Sequence, residues 1–396
     1  MSPLRITTYT TVSALGHGVA AMREALHAQR SGLTPCTFEP RLDTYAGMAE
    51  GLETIVLPAE LMAFDCRNNR LAQAALMQDD FVEAVASARM RYGADRLGVI
   101  LGTSTSGIHQ TELAYARRDP ETGVLPEDYN FVETHNLYAT TDFVRHYLRL
   151  TGPASMVSTA CSSAAKAFAS AWRFMATGLC DAVIVGGVDS LTMNTLFGFS
   201  SLELVSSTPC RPCAPDRSGI SIGEAAGFCL LEWPDRAPDY TGLALLGYGE
   251  SSDAYHMSTP QPEGEGAALA MERALQCAHV KPEAIDYINM HGTASVVNDS
   301  MEDKAITRVL GTKTPCSATK GFTGHTLGTS GITEAVICWL AMVDGFIPGT
   351  VNTGIVDPDF SSQILLRNKE AALQTTMSNS FGFGGSNCSL IFGRIE

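Results

Sequence analysis

Four stretches of this 396-residue chain gather residue types that do chemistry together. The first is Val157-Ser-Thr-Ala-Cys161-Ser-Ser-Ala-Ala, where a short apolar run turns into an alanine-rich segment with a thiol at the junction. A cysteine at a helix start faces unpaired backbone N–H groups and the positive end of the helix dipole, and both favour the nucleophilic thiolate. The second stretch, Asn289-Met-His291-Gly-Thr293-Ala-Ser295, sets a histidine at the end of an apolar run beside small hydroxyl residues. Alone, such a histidine is more often structural than reactive. The third, Ala318-Thr-Lys320-Gly-Phe-Thr-Gly324-His325-Thr-Leu-Gly328-Thr-Ser-Gly331, threads a lysine and a histidine through glycines. Glycines there permit close backbone approach and positive φ, as a packed reaction loop needs. A phosphate-cradling loop competes, but no Gly-Lys-Ser/Thr ending is present. The fourth is Asn379-Ser-Phe381-Gly-Phe383-Gly-Gly385-Ser-Asn387, either a tight turn or a flap that presents a backbone N–H to an oxyanion. Cys210-Arg-Pro-Cys213 has zinc-knuckle spacing without a second pair downstream, and reads as incidental.

These sites need elements to hold them, and the hydrophobic patterning supplies strands alternating with helices from end to end. Strands are predicted over 96–102, 181–189, 285–290 and 389–393, and helices over 162–177, 300–310 and 332–343. The 162–177 helix carries Ala165, Phe168, Ala169 and Trp172 on one stripe. The pattern implies a layered α/β architecture with a parallel-rich sheet. The polar, proline-containing stretch Trp233-Pro-Asp-Arg-Ala-Pro-Asp-Tyr240 is the best internal boundary, dividing the chain into 1–240 and 241–396. No short-period repeat is visible, so solenoids are excluded, and a twofold duplication stays open.

Composition sets the class. Hydrophobic residues make up 45% and charged residues 17%, which supplies a large core and excludes disorder. The net charge of −15 argues against a nucleic-acid partner. No apolar run approaches the roughly 18–20 residues that span a bilayer, and Glu334 interrupts the longest, 332–343. The 11 scattered cysteines suit a reducing compartment better than a disulfide framework. The expectation is an acidic, cytoplasmic, soluble enzyme.

Taken in order, the four sites resemble the condensing enzymes of the thiolase superfamily, and among them the elongating β-ketoacyl-acyl carrier protein synthases of fatty acid and polyketide synthesis. The likeness runs from Val12-Ser-Ala-Leu-Gly16 through Arg217-Ser-Gly-Ile-Ser-Ile-Gly-Glu224 to the Phe-Gly-Phe-Gly-Gly segment. It implies a thiolase-like fold, a duplicated five-layered α-β-α-β-α architecture with one half carrying the cysteine and the other both histidines. It implies that Cys161 accepts an acyl chain from an acyl carrier protein or coenzyme A thioester. His291 and His325 would hold the enolate made by decarboxylating a malonyl donor, and Lys320 would orient the second of them. Backbone amides of Cys161 and Phe383 would form the oxyanion hole, with Phe383 also gating the acyl pocket beside Phe381. Thr293 and Ser295 would bond the phosphopantetheine arm, which arrives on the carrier, so neither cofactor nor metal belongs to the enzyme. A twofold dimer is implied, either of identical chains or with a related synthase-like subunit.

The rivals differ at named positions. A thiolase would have a second cysteine where this chain has Phe381 and Phe383, and initiating synthases use Cys-His-Asn. A non-catalytic chain-length-factor-like subunit would lack Cys161. Cys213 and Ala225 depart from the usual Phe and Gly, which points to the substrate pocket and dimer surface and opens a specialised pathway, such as an aryl polyene, beside housekeeping fatty acid elongation. An acidic carrier would need local positive charge on this acidic body. Arg67 and Arg70, three apart on one face if a helix starts there, are the first candidates, and Arg211 is another.

Overall fold

The computed structural model describes residues 1–38, 42–237 and 242–395. The segment proposed as a boundary therefore lies partly outside the described residues. Valine-, isoleucine- and alanine-rich runs form strands buried on both faces. The first half supplies β1 (Leu4–Ser13), β2 (Leu97–Gly102), β3 (Ala154–Val157), β4 (Ala182–Asp189) and β5 (Ala225–Glu232). The second supplies β6 (Leu243–Ser252), β7 (Tyr287–Met290), β8 (Pro315–Ala318), β9 (Thr375–Gly382) and β10 (Ser386–Arg394).

Their spatial orders are β3-β2-β4-β5-β1 and β8-β7-β9-β10-β6, the same path traced twice. In each half the first three strands pair in parallel and the last two antiparallel. The two paths meet where β1 pairs antiparallel with β6 at Leu4↔Leu245 and Arg5↔Ala244. The duplication is thus plain in the topology. The expected parallel-rich sheet is instead mixed, because strand direction depends on which distant strand lies alongside and leaves no mark on local patterning.

Helices complete the layers. On the outer face of the first sheet lie α1 (Arg67–Leu76), α2 (Phe81–Tyr92) and α3 (Leu137–Tyr147), sharing one apolar cluster with its strands. α4 (Ser163–Ala176) follows β3; α5 (Glu265–Ala278) and α6 (Val296–Leu310) cover the outer face of the second sheet. α7 (Ser330–Asp344) packs with α4 between the sheets in the largest cluster, around Trp339, Phe168 and Phe392. That is the five-layered α-β-α-β-α order. Small residues let the two central helices touch: a Cβ on Gly331 would lie 2.3 Å from the backbone nitrogen of Ala165. With the turn before it, Leu327–Asp344 is long and apolar enough to cross a membrane, beyond the 332–343 run read from the sequence, but 89% of it is buried in this fold. It is a core helix, with Glu334 paired inside the protein.

Candidate active site

The parallel strands deliver the reactive groups at their C-terminal ends. Cys161 follows β3, one residue before the N-cap Ser162 of α4. His291 follows β7, and its N–H and that of Gly292 each donate to one oxygen of Glu302 on α6, both at 2.8 Å. One turn earlier, Asp299 accepts the N–H groups of Thr293 and Ala294. His325 lies in the loop that leads into α7, and its N–H donates to the Ser221 carbonyl at 2.7 Å. A non-glycine residue with left-handed backbone lies within three positions of each: Ala160 (φ 52°), Ala294 (φ 68°) and Leu327 (φ 53°). Such strain persists where surrounding contacts over-determine it, and functional sites collect it.

From positions 164 apart in sequence, Cys161 Sγ and His325 Nε2 come within 3.1 Å. The His291 ring stands edge-on to His325, centroids 5.3 Å apart at 83°. All three side chains are buried. Lys320 Nζ lies 3.2 Å from His291 Nδ1, donates to the His291 carbonyl at 2.5 Å and pairs with Glu334. The lysine therefore orients the first histidine, whereas the resemblance implied that it orients the second. His325 Nδ1 instead meets Ser330 Oγ at 3.1 Å and the Leu327 N–H at 3.3 Å.

Burial, followed by the Lys320 charge, holds both imidazoles well below the ordinary histidine range, and His325 adds to the effect on His291. Both rings are neutral at physiological pH. An ammonium donates only, so His291 Nδ1 accepts and its proton sits on Nε2. The thiol departs from expectation. Burial pushes Cys161 up to about 11, against the lowering pull of Lys320 and of the backbone N–H groups of Phe383 and Cys161. Desolvation outweighs the helix start, so the resting group is a thiol.

The centre opens into a pocket of about 320 Å³, walled by apolar Phe199, Leu202, Ile220 and Phe383 and by polar Thr293, Ser295 and Asn298. Phe383 stacks obliquely on Phe199 at 5.5 Å, and Gly384 and Gly385 behind it have positive φ, a backbone conformation that side chains would disfavour. Its backbone N–H faces the sulfur, as an oxyanion hole requires. Phe381 is buried with its ring 6.1 Å from His291. The Thr293 hydroxyl donates to Ser295 Oγ at 3.1 Å, and Ser295 caps α6 through the Asn298 N–H.

Cys161, His291 and His325 have ligating atoms within 4.8 Å of one another, the geometry of a metal centre. The Lys320 ammonium beside His291 opposes a divalent cation there. Cys210 and Cys213 diverge: Cys210 packs with Leu33 and Ala294, and Cys213 joins the core under α5 and α6.

Elsewhere the structure changes the reading. α1 does start at Arg67, but Arg67 is mostly buried, bonded to the fully buried Glu224 and to Glu53 at 2.5 Å. Arg70 pairs with Asp65 and Arg211 with Asp216, both at closer than 3 Å. Arg67 is thus a structural ion pair; its partner lies 157 residues away, which no local pattern reveals. Cys213 and Ala225 do not line the pocket; Ser218, Gly219 and Ile220 do. Sequence reasoning missed Asp299, Glu302 and Ser330. The three-residue spacing of the two carboxylates, directly after a histidine loop, was the signal available for the first two.

Comparison with known proteins follows this geometry. Residues 3–237 match the family profile described as Beta-ketoacyl synthase, N-terminal domain, and residues 243–354 match Beta-ketoacyl synthase, C-terminal domain. The 3-oxoacyl-[acyl-carrier-protein] synthase 2 of Vibrio cholerae is 31% identical, over 98% of each chain. Its counterpart in Staphylococcus aureus (strain COL) is 32% identical, over 87% of this chain and 88% of the relative. A ketosynthase from Xenorhabdus doucetiae, solved in complex with its chain length factor, superposes with a TM-score of 0.89 at 38% identity, over 100% and 98% of the two chains. The ishigamide ketosynthase/chain length factor superposes with a TM-score of 0.90 at 27% identity, over all of both chains.

Proposed function

The chain belongs to the β-ketoacyl synthase family, a family of condensing acyltransferases, and from that premise we propose that it extends an acyl chain by two carbons through an acyl-cysteine at Cys161. The observation that carries the mechanism is the neutral His325 Nε2 at 3.1 Å from the Cys161 sulfur, with the neutral His291 edge-on beside it. A buried thiol of raised pKa needs an adjacent base, and this is the base within reach. Sulfur attacks the incoming thioester carbonyl as its proton passes to His325 Nε2; the backbone N–H groups of Cys161 and Phe383 receive the oxyanion, and as the old C–S bond breaks the donor thiol leaves with that proton. The malonyl donor then enters, its carbonyl oxygen facing the Nε2–H groups of both histidines. Loss of carbon dioxide leaves an enolate that these uncharged donors stabilise in a dry pocket. Its carbon attacks the acyl-cysteine, the C–S bond breaks, and the expelled Cys161 thiolate takes up a proton from water to restore the thiol.

An acyl carrier protein is the proposed bearer of both substrates, its phosphopantetheine arm passing Thr293 and Ser295. With Arg67 occupied inside the fold, Arg70 and Arg211 remain the docking candidates. The proposed partner is a related synthase-like subunit, since two of the similar structures pair a ketosynthase with a chain length factor. That pairing also supports a polyketide- or polyene-like product over housekeeping fatty acid elongation.

Intact-mass spectrometry of protein from its native cell tests these points together. An acyl adduct on Cys161, also blocked by cerulenin, is expected; an unmodified Cys161 would make this chain the silent subunit. Native masses should show two unequal subunits, whereas a doubled single mass would establish a homodimer.

A further inference from the structure

The two histidines do not have equivalent neighbours. His291 Nδ1 faces an ammonium, which has no lone pair to offer, so its proton is fixed on Nε2. Such a ring donates and cannot act as a base. His325 Nδ1 faces a hydroxyl, Ser330 Oγ at 3.1 Å, as well as the Leu327 N–H at 3.3 Å. The N–H alone would fix this ring as the ammonium fixes the other. The hydroxyl can do the opposite, because it accepts as well as donates.

Further hydroxyls stand behind it. Thr333 Oγ1 donates to the Thr329 carbonyl at 3.2 Å, and Thr326 Oγ1 donates to Thr333 at 3.4 Å. The Thr326 oxygen is then left to accept from Ser330, 3.4 Å away. Ser330, Thr326 and Thr333 are each only 1% exposed. When Ser330 gives its proton to Thr326, its lone pair accepts a proton held on His325 Nδ1, and Nε2 is free toward the thiol. When Ser330 turns its O–H to Nδ1, it joins the Leu327 N–H, and the ring proton sits on Nε2.

We infer that Ser330 is a positioning residue that lets His325 carry its proton on Nδ1 during acylation of Cys161 and on Nε2 during decarboxylation. The inference rests on the function proposed above and adds to it a residue on which the two half-reactions divide. In acylation the Cys161 proton passes to Nε2 as the S–C bond forms. It leaves on the departing thiol as the carrier's S–C bond breaks, returning the ring to its starting state. Between half-reactions, once the carrier has left, the tautomers exchange through the imidazolium, with water giving one proton and taking the other. The charged and titratable groups that face His325 are Cys161 before α4, His291 after β7, Lys320 paired with Glu334 of α7, and Asp189 at the end of β4, which accepts the Thr329 N–H. Only a group that responds to pH between about 6 and 8 could imitate the effect, and both imidazoles are held neutral across that range.

The test uses the full chain with two small probes, an acyl thioester and a malonyl thioester of N-acetylcysteamine. Acylation is followed by intact mass, and decarboxylation by carbon dioxide release in a Cys161→Gln background. Ser330→Ala should lower the ratio of acylation to decarboxylation about tenfold, the worth of one good hydrogen bond. Wild-type acylation should be flat between about pH 6 and 8, whereas in Ser330→Ala it should climb with pH, as hydroxide takes over from the imidazole. Ser330→Thr, which keeps the hydroxyl, should restore both readouts. Thr326→Val, which leaves helix α7 unaltered, should move them the same way as Ser330→Ala by a smaller factor. ¹⁵N shifts of His325 should report mixed tautomers in the wild type and Nε2–H alone in Ser330→Ala. Equal loss in both half-reactions, or an unchanged pH profile in Ser330→Ala and Thr326→Val, would overturn the role of Ser330 while leaving Cys161 as nucleophile. A wild-type protein that takes up no acyl group would overturn the nucleophile itself, and this role with it.

Discussion

The two halves of the molecule share one strand path and differ in what stands at the strand ends. β2 and β7 hold equivalent places, second in each path. At the end of β2, Thr103, Ser104 and Thr105 turn inward and bind the buried Asp189 carboxylate through hydroxyl and N–H groups. At the end of β7, the carboxylate of Glu302 takes the backbone N–H groups instead, and the His291 side chain is released into the pocket. β3 and β8 differ likewise, one leading to a nucleophile and the other to Lys320 and His325. A duplicated frame thus brings together loops that diverge freely, because the sheet and central helices bear the packing. Each half alone holds an incomplete site: the thiol of one half meets, at 3.1 Å, an imidazole supplied by the other.

This division of labour can be broken in steps. Cys161→Ala should abolish the acyl-enzyme altogether by intact mass and leave thermal unfolding little changed, since a small residue before a helix start loses few contacts. An adduct on any other residue would move the nucleophile out of the first half. On the other side, His291→Ala should slow condensation about 10²–10³-fold and spare acylation, as expected for removal of one preorganised donor. His325→Ala should slow both, because it touches the sulfur. That second expectation departs from the sequence reading, in which loss of either histidine hurts condensation much more than acylation.

The anchoring carboxylates make a smaller contrast. Burial raises Glu302 to about 7 from its ordinary 4.5, against the lowering effect of the His291 and Gly292 N–H groups. Its folded pKa lies above the unfolded one, so the native state holds the extra proton between about pH 4.5 and 7. Its contribution to stability therefore falls as pH rises through that window. Glu302→Gln, which opposes an NH₂ group to one of the two N–H donors, should destabilise the fold by about 1–3 kcal/mol. Its melting deficit should be widest at low pH and narrow toward pH 7; a constant gap would show that Glu302 does not titrate there. Smallest of all is Arg70→Ala, which removes a half-exposed pair with Asp65 worth under about 1 kcal/mol. Relative to the wild type, its use of carrier-bound substrate should fall at low salt, and that deficit should shrink at high salt, with small thioesters unaffected.

The sequence by itself determined the reactive residue types and the elements next to them. A thiol between an apolar run and an alanine-rich helix, a histidine after a strand and a glycine-threaded lysine–histidine loop are local patterns, and hydrophobic period, helix-start chemistry and positive-φ glycines are local physics. Tertiary structure decided the rest. It set the ionisation of Cys161, because desolvation belongs to the packed interior and exceeded the helix-start effect that could be read locally. It assigned Lys320 to His291 and Ser330 to His325, since the turn into α7 places them and spacing does not show which ring each will meet. It took Arg67 out of the surface charge by burying Glu224 beside it. It also fixed which strands run parallel, because pairing direction depends on residues far apart in the chain.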